Sequence, residues 1–326
     1  MKVYVVGAGA VGTFLAERLR DDNTTIEFAP RKLQDVVPVH ADLAIVAVKA
    51  YDTDKAIATL QRALGPSSGA TIMTPQNGVG NEEKLAAAFG ADAIVSCALT
   101  VPVDRLRNGS YEVKNDGGVA LAPVGKTSHN WLVAAFERGH VPVKTVEDYR
   151  AMKWSKLALN IVANASCAIL NVLPERLLDM EHMFSLEVRA MRETAAVMRA
   201  MKLGPVDLPR YPVRALQSVI ALPSPMAKLV IGRRIAGARG RKPPSLLLDL
   251  RAAKGQTEVD VLNGAVVDAG RRLGVPTPIN AVFARVLDDI SHMPQLWAKY
   301  RERPQALYAE VLAENKRSHA SGARAR

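Results

Sequence analysis

Apolar positions recur along this chain with two different periods, and the period changes near residue 147. Before that point "KVYVV", "ADLAIVAVKA", "ATIMTP" and "AIVSCALTVPV" are apolar runs about one strand long. Runs apolar on successive residues suit strands buried on both faces of a sheet. Helical spacing separates them, after "GAGAVG" and over 52–64, so strands and helices alternate as in a doubly wound α/β fold. "TTIEFAPRK" adds a second strand, and "SYEVKNDGGVALAPV" extends the sheet, with a hairpin read about "NDGG". After "VPVKTVED" the strand signals stop. Residues 149–171, 182–203, 213–234, 245–272 and 278–290 read as helices between Pro- and Gly-containing breaks. The expectation is an abbreviated Rossmann-like α/β domain over 1–147 and an all-α domain over 148–314. A basic, disordered tail over 315–326 completes it.

Composition narrows the setting. A chain of 326 residues can bury two substantial cores, and 48% hydrophobic with 23% charged residues is ordinary for a soluble globular protein. No apolar run approaches the length of a membrane span, and the first apolar run is too short and too soon followed by glycines for a signal peptide. Cys97 and Cys167, both in apolar surroundings, read as free thiols of a reducing cytosol, so a cytoplasmic location is expected. The six histidines lack ligand spacing, and no metal site is expected. Net charge is +11, with six basic residues and no acid in 228–242 and four more in the tail. Such a surplus serves nucleic acid, anionic small molecules or solubility alike. No nucleic-acid motif accompanies it and aromatics are only 5%, so a nucleic-acid partner is disfavoured.

Chemistry begins at "VVGAGAVG". Gly7, Gly9 and Gly12 fit GxGxxG directly after a strand and at the opening of a helix, the setting in which that motif binds a dinucleotide. The loop Gly7-Ala8-Gly9-Ala10-Val11-Gly12 would bring its backbone and a helix N-terminus against a pyrophosphate. An NAD binder places a carboxylate at the end of the second strand. Here that region holds Arg31 and Lys32, while Glu27 comes too early and lies within the strand. A guanidinium pairs with a 2′-phosphate that a carboxylate would repel, so the cofactor expected is NADP(H). Lys49, closing the next strand, is a second candidate contact, and Asn77 in "QNGVG" lies at a strand's carboxyl end over the cofactor. Only nine residues separate Arg31 from Ala41, too few for the helix and strand that usually complete the first half of a Rossmann domain.

In the second half, "KWSKLALNIVANA" reads as a helix with Leu157, Ile161 and Ala165 on its apolar side. Lys156, Asn160 and Asn164 recur every four residues as one polar stripe. Asparagine is a mediocre helix former, so a solvated face would more often use Glu, Gln or Lys. Further on, "TEVDVLNG" places Glu258, Asp260 and Asn263 on a helix, preceded by Pro243, Pro244, Ser245 and Asp249.

In order and spacing, "GAGAVG", "VAVKA", "QNGVG", "KWSKLALNIVAN" and "TEVDVLNG" make the chain resemble the ketopantoate reductase (2-dehydropantoate 2-reductase) family over about residues 1–300. The resemblance implies a helical domain of the 6-phosphogluconate dehydrogenase C-terminal type and NADPH-dependent reduction of a small-molecule 2-oxo acid. By motif it implies Lys156 as general acid, and Asn160 and Asn164 on the substrate. Asn77 would bridge substrate and nicotinamide ribose, with Glu258 across the cleft on the catalytic and cofactor side. Ser245 would take the substrate carboxylate, and Arg31 with Lys49 the 2′-phosphate. A homodimer is among the assemblies left open. The chain departs from the family pattern in the short segment after Arg31 and in "SLLLD", where Ser-Met-x-x-Asp is usual. Two further readings therefore stand beside 2-dehydropantoate reduction: a relative acting on another 2-oxo or 3-hydroxy acid, and a non-catalytic NADP(H) sensor. Hydride transfer to a ketone leaves negative charge on oxygen, which a nearby ammonium stabilises and protonates, so Lys156 suits the reductase on chemistry alone.

Overall fold

The computed structural model describes all residues except 66–67, 106–110, 114–116, 229, 231–241 and 325–326. The basic run at 228–242 thus lies mostly outside the described residues. The chain divides into two compact units, 1–156 with 206–212 and 157–205 with 213–326.

The first unit is built on a seven-stranded sheet. β1 (Lys2–Val6), β2 (Thr25–Phe28), β3 (Leu43–Val46), β4 (Thr71–Thr74) and β5 (Ile94–Leu99) run parallel in the order β2-β1-β3-β4-β5. A small pair, β6 (Val103–Arg105) and β7 (Tyr111–Val113), stands apart; β8 (Val119–Pro123) then joins antiparallel to β5, and β9 (Val143–Thr145) parallel to β8. The hairpin read about "NDGG", of which 115–116 lie outside the described residues, is replaced: β7 pairs with β6, and β8, buried over 119–122, pairs with the equally buried β5. Period-two alternation splits β1 between two cores. Val3 and Val5 pack with α1 (Ala10–Arg18) and α4 (Asn130–Arg138), whereas Tyr4 and Val6 pack with α2 (Thr53–Leu64) and α3 (Asn81–Phe89). The shortened segment after Arg31 has its expected consequence: β2 is an edge strand, and 31–41 carries a single short turn, Leu33–Asp35.

α5 (Tyr149–Asn160) opens the helical half, followed by α6 (Ala165–Leu170), α7 (Pro174–Asp179), α8 (Met183–Ala200) and α9 (Val213–Ala221). Then come α10 (Ser245–Arg251), a π-helical turn at Asp260–Gly264, α11 (Ala265–Leu273) and α12 (Pro278–His292). α13 (Trp297–Tyr300) and α14 (Pro304–Arg324) end the chain. Two segments read as single helices, 149–171 and 245–272, are broken. The first breaks at Ala163, which takes a left-handed φ of 49°, its N–H held at 2.6 Å by the buried Glu187 carboxylate. The second breaks at Gly255, φ 72°. The helix read over 213–234 is interrupted at Leu222 and Pro223 and is helical again over 224–228; 229 and 231–234 lie outside the described residues. The carbonyls ending α6 are met by the Trp297 indole N–H, 3.0 Å from Ala168 and 2.9 Å from Ile169. At the C-terminus, the segment read as a disordered tail continues α14 to Arg324. Propagating a helix already anchored by buried Leu307 and Val311 is far easier than nucleating one. Among the described residues no helix is long and apolar enough to cross a membrane.

Glu310 holds α14 to its neighbours. Its carboxylate accepts from Lys299 at 2.7 Å, Arg285 at 2.9 Å and Tyr300 at 3.1 Å. The Lys299 hydrogen bond above all brings its pKa down from 4.5 to about 2, against the opposing effect of burial. A depressed carboxyl contributes stability above its unfolded pKa and loses it as pH falls through the folded one. Lys299 is 55% exposed, so solvent screening discounts that contribution. Glu310→Gln should lower unfolding free energy by about 1–2 kcal/mol at pH 7, a deficit shrinking below pH 4.5 and gone near pH 2. Urea melts of both proteins across that range check it.

Candidate active site

The glycine loop is shaped by contact rather than by sequence habit. After β1 the chain turns through Gly7 at φ +114°, and a Cβ on Gly12 would stand 2.1 Å from the Gly7 carbonyl oxygen. Any side chain at 12 would push α1 away from the loop. Gly9 differs: it begins α1 with no side-chain cap, and a Cβ there would meet nothing within 4 Å. Open space over uncapped first-turn N–H groups fits a pyrophosphate. Ala8 is exposed and Ala10 and Val11 are half-buried on the same loop. Since β2 and β3 flank β1, Arg31 and Lys49 leave the sheet on either side of this loop. Arg31 and Lys32 are exposed, and Glu27 pairs with Tyr4 inside β2.

Beyond β4, the loop "QNGVG" is fastened from beneath. The buried Gln76 amide accepts from the Thr74 hydroxyl at 2.9 Å and donates to Thr53 Oγ1 at 2.9 Å and to the Val48 carbonyl at 3.2 Å. The Asn81 amide donates to the Asn77 carbonyl at 3.1 Å and lies 2.9 Å from the Thr53 hydroxyl. Asn77 itself is exposed at the carboxyl edge. Deeper still, the Lys153 ammonium pairs with Glu82 at 3.1 Å and donates to the Gln76 carbonyl, and Ser96 donates to Glu82 at 2.7 Å. Reading the sequence singled out none of Thr53, Gln76, Asn81, Glu82, Ser96 or Lys153. The signal available was a second lysine, three residues before Lys156 in a helix. Burial pushes the nearby Cys97 thiol up to about 12, so it stays protonated and unreactive.

α5 carries Lys156 and Asn160 one turn apart, both half-buried. The three-turn stripe ends there. Asn164 follows the break at Ala163, stands directly before α6, and is 3% exposed. Its amide donates to the Asn160 carbonyl at 3.1 Å and stands 3.5 Å from the Ser245 hydroxyl. Its oxygen accepts from the Leu246 N–H at 3.2 Å. Asn164 therefore fastens the first turn of α10, leaving Ser245 exposed. Asp249 pairs with Lys254, and Glu258 is buried just ahead of the π-helical turn. Within the first unit the structure gathers the glycine loop, Arg31, Lys49 and Asn77 along one sheet edge. Within the second it gathers Asn160, Asn164 and Ser245.

Two family models match: "Ketopantoate reductase PanE/ApbA" over residues 26–126 and its C-terminal counterpart over 148–291. The chain belongs to the ketopantoate reductase family. A 2-dehydropantoate 2-reductase of Pyrobaculum aerophilum is 30% identical over 243 residues, 74% of this chain and 75% of the relative. The solved PanE/ApbA family ketopantoate reductase of Ralstonia eutropha JMP134 superposes with a TM-score of 0.74 at 27% identity, covering 90% of this chain and 100% of that one. A D-mandelate dehydrogenase solved with NADH shares the fold, at a TM-score of 0.72 and 18% identity, over 89% of this chain and 99% of its own. Membership makes this ketopantoate reductase relative an oxidoreductase acting on CH–OH groups.

The two glycines should part company when mutated. Gly9→Ala meets only open space, so its melting temperature should stay within about 2 °C of the parent while dinucleotide affinity falls about tenfold or more. Gly12→Ala should lose about 1–3 kcal/mol of stability or more through overpacking. Thermal melts and nucleotide fluorescence titrations check both.

Proposed function

We propose that the chain reduces a 2-oxo acid to the 2-hydroxy acid with NADPH, with 2-dehydropantoate to pantoate as the leading pair. The observation carrying this reading is the pairing, one turn apart on α5, of an ammonium at Lys156 and an amide at Asn160. When bound, the nicotinamide supplies a hydride to the carbonyl carbon. Lys156 hydrogen-bonds the carbonyl oxygen, stabilises the charge gathering there and delivers the proton that completes the hydroxyl. Asn160 and Asn77 donate to the substrate without adding charge, and Asn77 also holds the nicotinamide ribose. Ser245 meets the substrate carboxylate, with Asn164 as the residue that positions it. Glu258 belongs to the catalytic and cofactor side, and Arg31 with Lys49 holds the 2′-phosphate.

One observation favours a second substrate within the same class. Leu248, 44% exposed, lies one turn after the exposed Ser245, and the half-buried Pro243 precedes it, so the exposed start of α10 is apolar beside its hydroxyl. That suits a 2-oxo acid with a larger apolar substituent. NADPH consumption against a panel of 2-oxo acids, 2-dehydropantoate included, separates the two. Consumption with none of them would overturn the reductase reading.

Two variants test the roles. Lys156→Ala should lower kcat by about 10²–10⁴ with NADPH affinity within about threefold of the parent. Arg31→Ala should weaken NADPH binding about tenfold or more and leave NADH nearly unchanged. Steady-state kinetics and fluorescence titration on the same preparations measure both. Equal losses for NADH and NADPH would remove Arg31 from the 2′-phosphate.

A further inference from the structure

Lys153 lies three residues before Lys156, about 4.5 Å along the helix axis. Its side chain is nevertheless only 3% exposed. A lysine so deeply buried needs partners that offset the loss of water. Two are present. Glu82, 1% exposed, stands 3.1 Å away and is itself fixed by the Ser96 hydroxyl at 2.7 Å. The second partner is the Gln76 backbone carbonyl, to which the ammonium donates directly.

These partners flank one loop. Gln76 opens "QNGVG", and Glu82 lies in the first turn of α3, which follows it. Lys153 thereby grips both ends of the segment that presents Asn77, from the same helix that presents Lys156. Stability alone would not require this, because an apolar pair often does as well as a buried ion pair. What an apolar pair cannot do is hold a particular backbone carbonyl in a fixed direction.

We propose that Lys153 is a positioning residue of the reductase. By joining the Gln76 carbonyl to α5, it sets the placement of Asn77 relative to Lys156, through a contact made with neither substrate nor cofactor. Displacing one of two groups that act on the same carbonyl by about 1 Å is enough to slow transfer about 100-fold. The inference rests on the reductase reading above, and the experiment separates the two.

Lys153→Met keeps the chain length and removes the donor, but it leaves Glu82 buried without its cation. The paired variant Lys153→Met/Glu82→Gln removes both charges and preserves a partner for Ser96, so it keeps the test usable if the single variant does not fold. The parent and both variants are compared by melting temperature, NADPH titration and steady-state kinetics. Expected for the paired variant are a melting temperature near the parent's and NADPH affinity and acid KM within about threefold. Its kcat should still be about 100-fold low. Adding Asn77→Ala should nearly abolish the further effect of the pair, to under about fivefold, because both changes act through one loop. Recovery of kcat along with stability in the paired variant would reduce Lys153 to a structural ion pair and overturn the proposal. So would an undiminished loss on the Asn77→Ala background. A parent that binds NADPH yet reduces no 2-oxo acid would overturn the reductase reading itself, before any variant is made.

Discussion

All of β1 to β5 run the same way, so the loops following β1, β2, β3 and β4 emerge at one edge of the sheet. Both faces of that sheet are covered, by α1 and α4 on one side and α2 and α3 on the other, and its interior is closed to any ligand. Chemistry is left to the edge. Strand order then decides the neighbours: with β2 and β3 on either side of β1, two cationic loops flank the glycine turn, and β4 brings Asn77 to the same rim.

Edge loops are exposed and would be mobile unless something held them, and the loops after β1 and β4 are held by different devices. The glycine turn is locked by close packing, Gly12 lying against the Gly7 carbonyl. The Asn77 loop is locked by polar groups that reach it from α2, α3 and α5, namely Thr53, Asn81 and Lys153. In the helical unit, the buried Glu187 stops the helix before Asn164, and Asn164 then secures the start of α10. Buried polar side chains with satisfied partners give direction that apolar packing lacks.

The departure after Arg31 shows how locally a fold of this kind can be shortened. β2 lies at the edge of the sheet with Phe28, Leu33 and Val37 exposed around it, while the glycine loop and Lys49 follow β1 and its other neighbour, β3. β2 pairs with β1 alone, so no other strand of the sheet is paired through it.

The sequence by itself determined the sheet unit, its glycine turn, the switch to helices near 147 and the family, since these rest on local periodicity and on motifs read within a few residues. Lys156 and Asn160 were legible for the same reason, being one turn apart on a continuous helix. Only the tertiary structure decided the break at Ala163. Nothing near Ala163 signals a stop; the stop comes from Glu187, 24 residues away in α8. Likewise Lys153 and Glu82 look like ordinary surface charges in their own helices, and become a buried pair only when α5 packs against α3. A helical period reports which face a residue occupies, whereas partners far along the chain decide whether that face meets water, carboxylate or carbonyl.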